Sequence, residues 1–201
     1  MSTAITLIRK HKTIVRKLVC SLSNKRFKHT IGVAILAAEL ASLHRLDEEK
    51  AVLASLLHDY ARERDKGELL ALAQQANWPI NKVEQSQPML LHGPAAAFLA
   101  TEEWGIEDQD VLNAIAYHTT GHPDLSPLSC LLYVADMVEY GRAYPGVEKL
   151  RDLAFQDLKV ALLACLDHSI RYLLDRGALI HSLSIETRNE LLSEICQKGE
   201  V

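Results

Sequence analysis

The chain has 201 residues and a formal charge of −4, with 48% hydrophobic and 24% charged residues. This size and composition predict one globular domain with a single substantial core, and the lack of a basic excess argues against binding to a nucleic-acid polymer or to an anionic membrane. Only 5% of the residues are aromatic, and alanine and leucine are abundant, so we expect an all-α fold.

The cysteines and the hydropathy of the chain indicate a cytoplasmic protein. Cys20, Cys130, Cys165 and Cys196 show no CxxC spacing, as is typical of free thiols in a reducing compartment. No apolar run approaches the roughly 20 residues of a membrane span. The N-terminal stretch at 8–11, IRKH, does not match the core of a signal peptide.

The first half of the chain is predicted to form a helical hairpin. Apolar residues recur at intervals of three and four, which predicts about nine helices and no strand. Helices are expected over about 5–22, 27–43 and 48–60, and the short loop between the second and third makes them antiparallel neighbours. At about 1.5 Å of rise per residue, His29 and His58 then lie at the same end of the hairpin.

The third of these helices ends in the sequence LLHDY at 56–60, where a histidine is followed directly by a carboxylate. A neutral nitrogen ligand beside an anionic oxygen ligand suits a metal site. A buried structural helix can end in the same dipeptide, so the interpretation depends on the rest of the chain.

Later helices carry three more candidate ligands. His92 precedes Pro94, a residue suited to the first turn of a helix, and so lies at a helix entrance. His118 stands at a helix exit, just before the stop signal Gly121. Asp136 is a carboxylate within an apolar helix that we expect to be buried.

The remaining segments are predicted to contribute packing alone. The stretch between Asn77 and Pro88 is rich in loop signals and is expected to be irregular. The helices expected over about 158–176 and from Ser184 onward carry no cluster of ligand-type side chains.

Taken singly, each candidate ligand is more often structural than functional. Taken together, they form the series His29, His58, Asp59, His92, His118 and Asp136. This series in an all-helical chain resembles the HD-domain metal phosphohydrolases and, more narrowly, the YqeK family of symmetrical dinucleoside tetraphosphate hydrolases. The motifs that carry the resemblance are RFKHT at 26–30, GV at 32–33, LHDYA at 57–61, LHG at 91–93, YHTTG at 117–121 and YVAD at 133–136, followed by Glu139, Arg142, PGV at 145–147 and Arg151.

The resemblance implies a single-domain HD helical bundle over residues 1–201. Its metal-dependent core covers residues 22–160, which leaves residues 161–201 as a C-terminal helical scaffold. The resemblance further implies two metal ions, most often iron in this family. One ion would be held by His29, His58, Asp59 and Asp136 and the other by His92 and His118, with Asp59 as the bridge. Asp59, His92 and His118 are the expected catalytic residues.

Ligand chemistry agrees independently with a transition-metal site. A mixed set of imidazoles and carboxylates suits iron, manganese, cobalt or zinc and suits magnesium alone poorly. Two such ions about 3.5 to 4 Å apart can polarise a phosphoryl oxygen.

The resemblance also implies the substrate, diadenosine tetraphosphate, cleaved symmetrically to two ADP. Because ADP is a good leaving group, charge neutralisation matters more than a strong general acid. The candidate phosphate-binding residues are Arg62, Lys66, Thr119, Thr120, His122 and Arg142. For each of them a solvated surface position or a helix cap is an equally good interpretation. Glu139 is expected to orient a ligand or to pair with Arg142.

The chain departs from the family pattern at Arg62, Ser129-Cys130, His122 and Tyr140. Because none of these is a proposed ligand, they bear on substrate preference and rate rather than on metal binding. Two other functions stay open: hydrolysis of another nucleotide or phosphate ester, and a catalytically silent nucleotide-binding regulator. The sequence leaves the metal, the preferred base and the oligomeric state undetermined, with a dimer as one option.

Overall fold

The computed structural model describes residues 2–197, and this part of the chain is all-helical, as predicted. It contains twelve α-helices and one 3₁₀-helix between α6 and α7. Their bounds are α1 Ser2–Lys10, α2 Lys12–Ser21, α3 Asn24–Leu43, α4 Glu48–Leu57, α5 Lys66–Gln75, α6 Lys82–Ser86, the 3₁₀-helix Pro88–Leu91, α7 His92–Trp104, α8 Gln109–Tyr117, α9 Pro127–Val138, α10 Val147–Ala154, α11 Leu158–Asp175 and α12 Ser182–Gln197.

The helix count exceeds the predicted nine, and two local features contribute to the difference. The opening helix is interrupted at His11, whose backbone angles (φ −92°, ψ 35°) are not helical, so α1 and α2 are separate. The stretch expected to be irregular contains α6, which begins with a capping box between Asn81 and Glu84. The Asn-x-x-Glu spacing is a signal for such a helix start, although the loop signals around it predict an irregular segment.

The predicted hairpin of α3 and α4 is the most extensive helix pair in the molecule. Ser23 caps α3 by accepting a hydrogen bond from the Arg26 N–H, and Asp47 caps α4 by accepting from the Glu49 and Lys50 N–H groups. The helices approach closely because their shared face is rich in buried alanine. The His29 and His58 rings lie 5.6 Å apart between centroids, which confirms that they share one end of the hairpin.

The core is centred on α9, which packs against α3, α4, α8, α10 and α11. Most of its residues are buried, including the free thiol Cys130. Cys165 on α11 is also buried, and the other two cysteines are exposed. All four are free thiols, as predicted. Asp136 is therefore carried by the best-packed helix, close to its end. Within residues 2–197 no helix is both long and apolar enough to cross a membrane.

Candidate metal centre

All six predicted ligands meet at one place in the fold. Their ligand atoms form three overlapping groups of three, and within each group the atoms lie within 4.8 Å of one another. Four of the six come from helix ends: His58 and Asp59 follow α4, His92 begins α7 and His118 follows α8. A helix end brings a side chain to a junction between elements, where ligands from distant parts of the sequence can converge.

Three of the histidine rings are oriented by their own backbone. The Nδ1 atoms of His58, His92 and His118 lie 2.6, 2.5 and 2.7 Å from the carbonyl oxygen three residues earlier. A carbonyl only accepts, so each Nδ1 carries the proton and donates it. Each Nε2 is left with a free lone pair, which is the form in which histidine binds a metal.

The Nε2 atoms point at one another. Those of His29 and His58 are buried and have no hydrogen-bond partner. Those of His92 and His118 are 3.0 Å apart, although both carry lone pairs in the tautomer that the backbone selects. A bound cation satisfies the orphaned nitrogens and removes the repulsion, so these residues fit a metal.

Asp59 faces both pairs of histidines. Its Oδ1 lies 3.3 Å from His92 Nε2 and 4.0 Å from His118 Nε2. Its Oδ2 lies 3.3 Å from His58 Nε2 and 3.6 Å from His29 Nε2. A carboxylate with one oxygen toward each pair has the placement that a bridging ligand needs.

Asp136 belongs to the His29 and His58 side of the centre. Its Oδ1 lies 2.9 Å from His29 Nε2 and 3.9 Å from His58 Nε2. We expected Asp136 to be buried, but 19% of its side chain is exposed because it also faces a cavity.

The ionisation states of three of the ligands suit metal binding. Burial raises the pKa of Asp59, but His58 and His92 outweigh burial and hold that pKa well below its usual value. The pKa of Asp136 is also lowered, since contacts with histidine outweigh burial. Burial, together with the neighbouring histidines, lowers the pKa of His118 to about 3. The carboxylates are thus charged and His118 is neutral, as ligands must be.

Glu139 orients the fourth histidine, which is one of the two roles predicted for it. Its Oε1 lies 3.2 Å from His29 Nδ1, and its Oε2 accepts a hydrogen bond from the Gly141 N–H at 2.6 Å. Burial lowers the pKa of His29, but Asp136 and Glu139 outweigh burial and raise it to about 9. Gly32 makes room for this carboxylate, because a Cβ there would lie 2.5 Å from Glu139 Oε2.

Two arginines form ion pairs with the carboxylates of Asp59 and Asp136. Arg26 Nη1 lies 2.6 Å from Asp59 Oδ2, and Arg142 Nη2 lies 2.7 Å from Asp136 Oδ1. Arg26 belongs to the RFKHT motif at 26–30, but the motif by itself predicted no role for it. Its position three residues before His29, on the same face of α3, was the signal that could have revealed one.

A cavity of about 610 Å³, here called the main cavity, opens onto the centre at His118 and Asp136. Four of the predicted substrate-binding residues line it: Arg62, Thr119, Thr120 and Arg142. Thr119 Oγ1 lies 3.1 Å from His118 Nε2, at the centre itself. Thr120 instead donates its hydroxyl proton to the Gly121 carbonyl.

The structure does not bring the other two substrate-binding candidates to this cavity. Lys66 is exposed at the start of α5. His122 packs against the Tyr117 ring at 4.6 Å between centroids and lines a separate small cavity.

The far wall of the main cavity comes from the segment expected to serve as scaffold. Residues of and around α11 and α12 line it, among them His168, Tyr172, Leu179, His181 and Ser184. No local pattern marked them, since their helical spacing resembles that of any packing helix. They face the site only because α11 packs against α9.

The fold and the centre define the class of protein, a metal-dependent HD-domain hydrolase, and residues 26–141 match the HD domain. Two proteins named "Bis(5'-nucleosyl)-tetraphosphatase, symmetrical" are similar to this chain. The one from Halalkalibacterium halodurans is 42% identical over 86% of this chain and 92% of its own length, and the one from Bacillus subtilis is 37% identical over 86% and 92%. The chain therefore belongs to the symmetrical bis(5'-nucleosyl)-tetraphosphatases of the HD-domain family.

A solved structure agrees with this assignment. A Clostridium acetobutylicum protein, described as a "predicted HD superfamily hydrolase involved in NAD metabolism", shares 38% identity with this chain. The two structures superpose with a TM-score of 0.89 over 92% of this chain and 97% of the other.

Proposed function

We propose that the protein hydrolyses diadenosine tetraphosphate and related dinucleoside polyphosphates symmetrically to two nucleoside diphosphates. The observation that carries the proposal is the placement of Asp59, whose two oxygens each face the Nε2 atoms of one pair of histidines. The names of the relatives from Halalkalibacterium halodurans and Bacillus subtilis support the choice of substrate.

We assign the six ligands to two metal ions. His29, His58 and Asp136 would hold one, His92 and His118 the other, and Asp59 would bridge them. When bound, such a pair of ions activates water and neutralises charge on phosphoryl oxygens. Iron is the first choice, and manganese, cobalt and zinc also suit this donor set.

The chain's own cations are placed to bind the phosphates. Arg62 lines the main cavity and has no ion pair or side-chain hydrogen bond within the described residues, so its guanidinium is available. Arg142 reaches from Asp136 into the same cavity. The Thr119 hydroxyl lies beside His118 and can donate to a phosphate oxygen. Lys66 and His122 are left out of this proposal because they lie away from the cavity.

The opposite wall of the main cavity suits a nucleoside. Tyr144 and His168 stack with 4.7 Å between ring centroids, and Tyr172 lies beside them on the cavity wall. Aromatic faces of this kind stack well on a purine. A volume of about 610 Å³ lies within the range of about 300 to 1,000 Å³ that is usual for small-molecule sites.

The reaction adds one water across the central phosphoanhydride, so each product keeps two phosphates and no free phosphate forms. The test is to incubate the metal-loaded protein with diadenosine tetraphosphate and to resolve the products by anion-exchange chromatography. We expect two ADP per substrate, with activity lost on chelation and restored by iron, manganese or cobalt. ATP plus AMP would overturn the cleavage position, and no product with metal bound would overturn the function.

A further inference from the structure

We propose that a second cavity beside the metal centre binds the distal diphosphate of the substrate, so that the two halves of a symmetrical molecule are recognised by different means. The inference rests on the proposed function. This cavity, here called the basic cavity, has a volume of about 390 Å³. Its cationic lining residues are Lys25, Arg26, Lys28 and Arg142.

The two cavities meet at the metal ligands. Asp136 lines the main cavity and His29 lines the basic cavity, and their Oδ1 and Nε2 atoms are 2.9 Å apart. Arg142 lines both cavities. A phosphate chain that runs from the main cavity across the centre therefore continues into the basic cavity.

The charge of the basic cavity differs from that of the whole chain. The protein carries a formal charge of −4, yet four cationic side chains line this one cavity with two carboxylates. Both carboxylates already have partners. Glu63 accepts hydrogen bonds from the Ser23 N–H and hydroxyl, each at 2.6 Å, and Glu139 accepts one from the Gly141 N–H.

Two of the four cations remain uncommitted. Lys25 and Lys28 are exposed and have no ion pair or side-chain hydrogen bond among the described residues. Arg26 and Arg142, by contrast, are paired with Asp59 and Asp136. The two lysines are therefore the groups that an incoming polyanion would meet.

The basic cavity offers nothing for a base to stack on. Among the described residues that line it, the ligand His29 is the one ring, whereas the main cavity has several tyrosines. The geometry thus assigns nucleoside recognition to the main cavity and phosphate recognition to the basic cavity. The distal nucleoside would then lie in solvent.

The first test measures steady-state kinetics of the metal-loaded enzyme with diadenosine tetraphosphate. In Lys25→Gln/Lys28→Gln we expect KM to rise roughly tenfold while kcat stays within about twofold, because the lysines act in binding and not at the reacting atoms. Lys25→Arg/Lys28→Arg should restore the wild-type KM. The control Lys12→Gln/Lys82→Gln removes two exposed lysines outside both cavities and should behave as wild type. An unchanged KM in the first variant, or an equal rise in the control, overturns the proposal.

A second measurement does not depend on turnover. Inorganic pyrophosphate is titrated into the metal-loaded wild type and the glutamine pair by calorimetry, and we expect roughly tenfold weaker binding in the variant. Equal affinities overturn the basic cavity as a diphosphate site. Failure of the wild type to form two ADP overturns the proposed function instead, so the two failures are distinguishable.

If the basic cavity recognises only phosphates, the enzyme should accept different bases at the distal end of the substrate. A substrate with adenosine at one end of the tetraphosphate and uridine at the other should have a KM within about threefold of that for diadenosine tetraphosphate. A tenfold rise would show that both bases are recognised and would overturn this assignment.

Discussion

Two buried polar clusters in this molecule differ in how their polar atoms are satisfied. In the metal centre, the Nε2 atoms of His29 and His58 make no hydrogen bond, and those of His92 and His118 face each other beside the Thr119 hydroxyl. In the cluster around Glu84, at the junction of α6 and α12, the protein itself supplies the partners. Both clusters are buried, so burial does not distinguish a functional site from a structural one.

The Glu84 carboxylate is only 2% exposed, yet both of its oxygens accept hydrogen bonds. Oε1 accepts from the Trp78 indole N–H at 3.0 Å, and Oε2 accepts from the Asn81 backbone N–H at 2.8 Å. His181 Nε2 lies 3.5 Å from Oε1. The Glu84 cluster stabilises the fold because its hydrogen bonds are made within the protein. The metal centre has nitrogen lone pairs without a hydrogen-bond donor, so it requires a bound ligand.

The largest effect is expected from removal of the bridging carboxylate. Asp59→Ala should lower kcat at least about a thousandfold and abolish metal binding, because both histidine pairs lose their shared anionic ligand. Activity, metal content and far-UV circular dichroism check this, and we expect the helical content to be kept. Asp152→Ala, at an exposed aspartate on α10, should leave activity and metal content unchanged. A fully active Asp59→Ala would show that the centre needs no bridge.

A smaller loss of metal affinity or activity is expected from a change at Glu139, which contacts the ligand His29. Glu139→Gln should lower metal affinity or kcat by about 10- to 100-fold. The amide has one acceptor oxygen, so it cannot accept hydrogen bonds at both positions, from the Gly141 N–H and from His29 Nδ1. Metal titration followed by activity assay measures this. The matched control is Glu148→Gln, at a site 78% exposed and paired with Arg151, which should have the affinity of wild type. If Glu139→Gln binds metal with the affinity of the wild type, Glu139 does not orient His29.

Removal of the Glu84 carboxylate should lower the stability of the fold and leave metal binding unchanged. Glu84→Ala leaves the Trp78 and Asn81 donors buried without an acceptor, so we expect the free energy of unfolding to fall by about 2 kcal/mol. Urea unfolding of the metal-stripped protein measures this change, and metal content should stay at the wild-type value. Loss of metal in this variant would break the comparison between the two clusters.

The smallest effect concerns pH. Burial raises the pKa of Glu84, but hydrogen bonds led by that of His181 hold it below its usual value near 4.5. The folded state therefore binds this proton at lower pH than the unfolded chain does, and the contribution is complete above about pH 4.5 and lost as pH falls through the folded-state value. The difference in unfolding free energy between wild type and Glu84→Gln should shrink below about pH 4.5. A constant difference from pH 7 to pH 3 would contradict this.

Much of the fold and the centre could be predicted because the signals are local. The caps at Asp47 and Ser126 and the spacing of apolar residues mark the helices, since a cap and an amphipathic face act within a few residues. The ligands could be named because each belongs to a short motif at the end of a helix or within one. That His29 and His58 are neighbours followed from helix rise and one short loop.

The sequence by itself therefore determined an all-helical chain and the six residues that converge at the candidate metal centre. Tertiary structure alone decided that Glu139, 110 residues away, orients His29, and that Arg26 reaches Asp59. It also decided that α11 and α12 form a wall of the main cavity and that Lys66 and His122 lie outside it. These contacts depend on how helices pack across the core, and no propensity or spacing within a single segment contains that information.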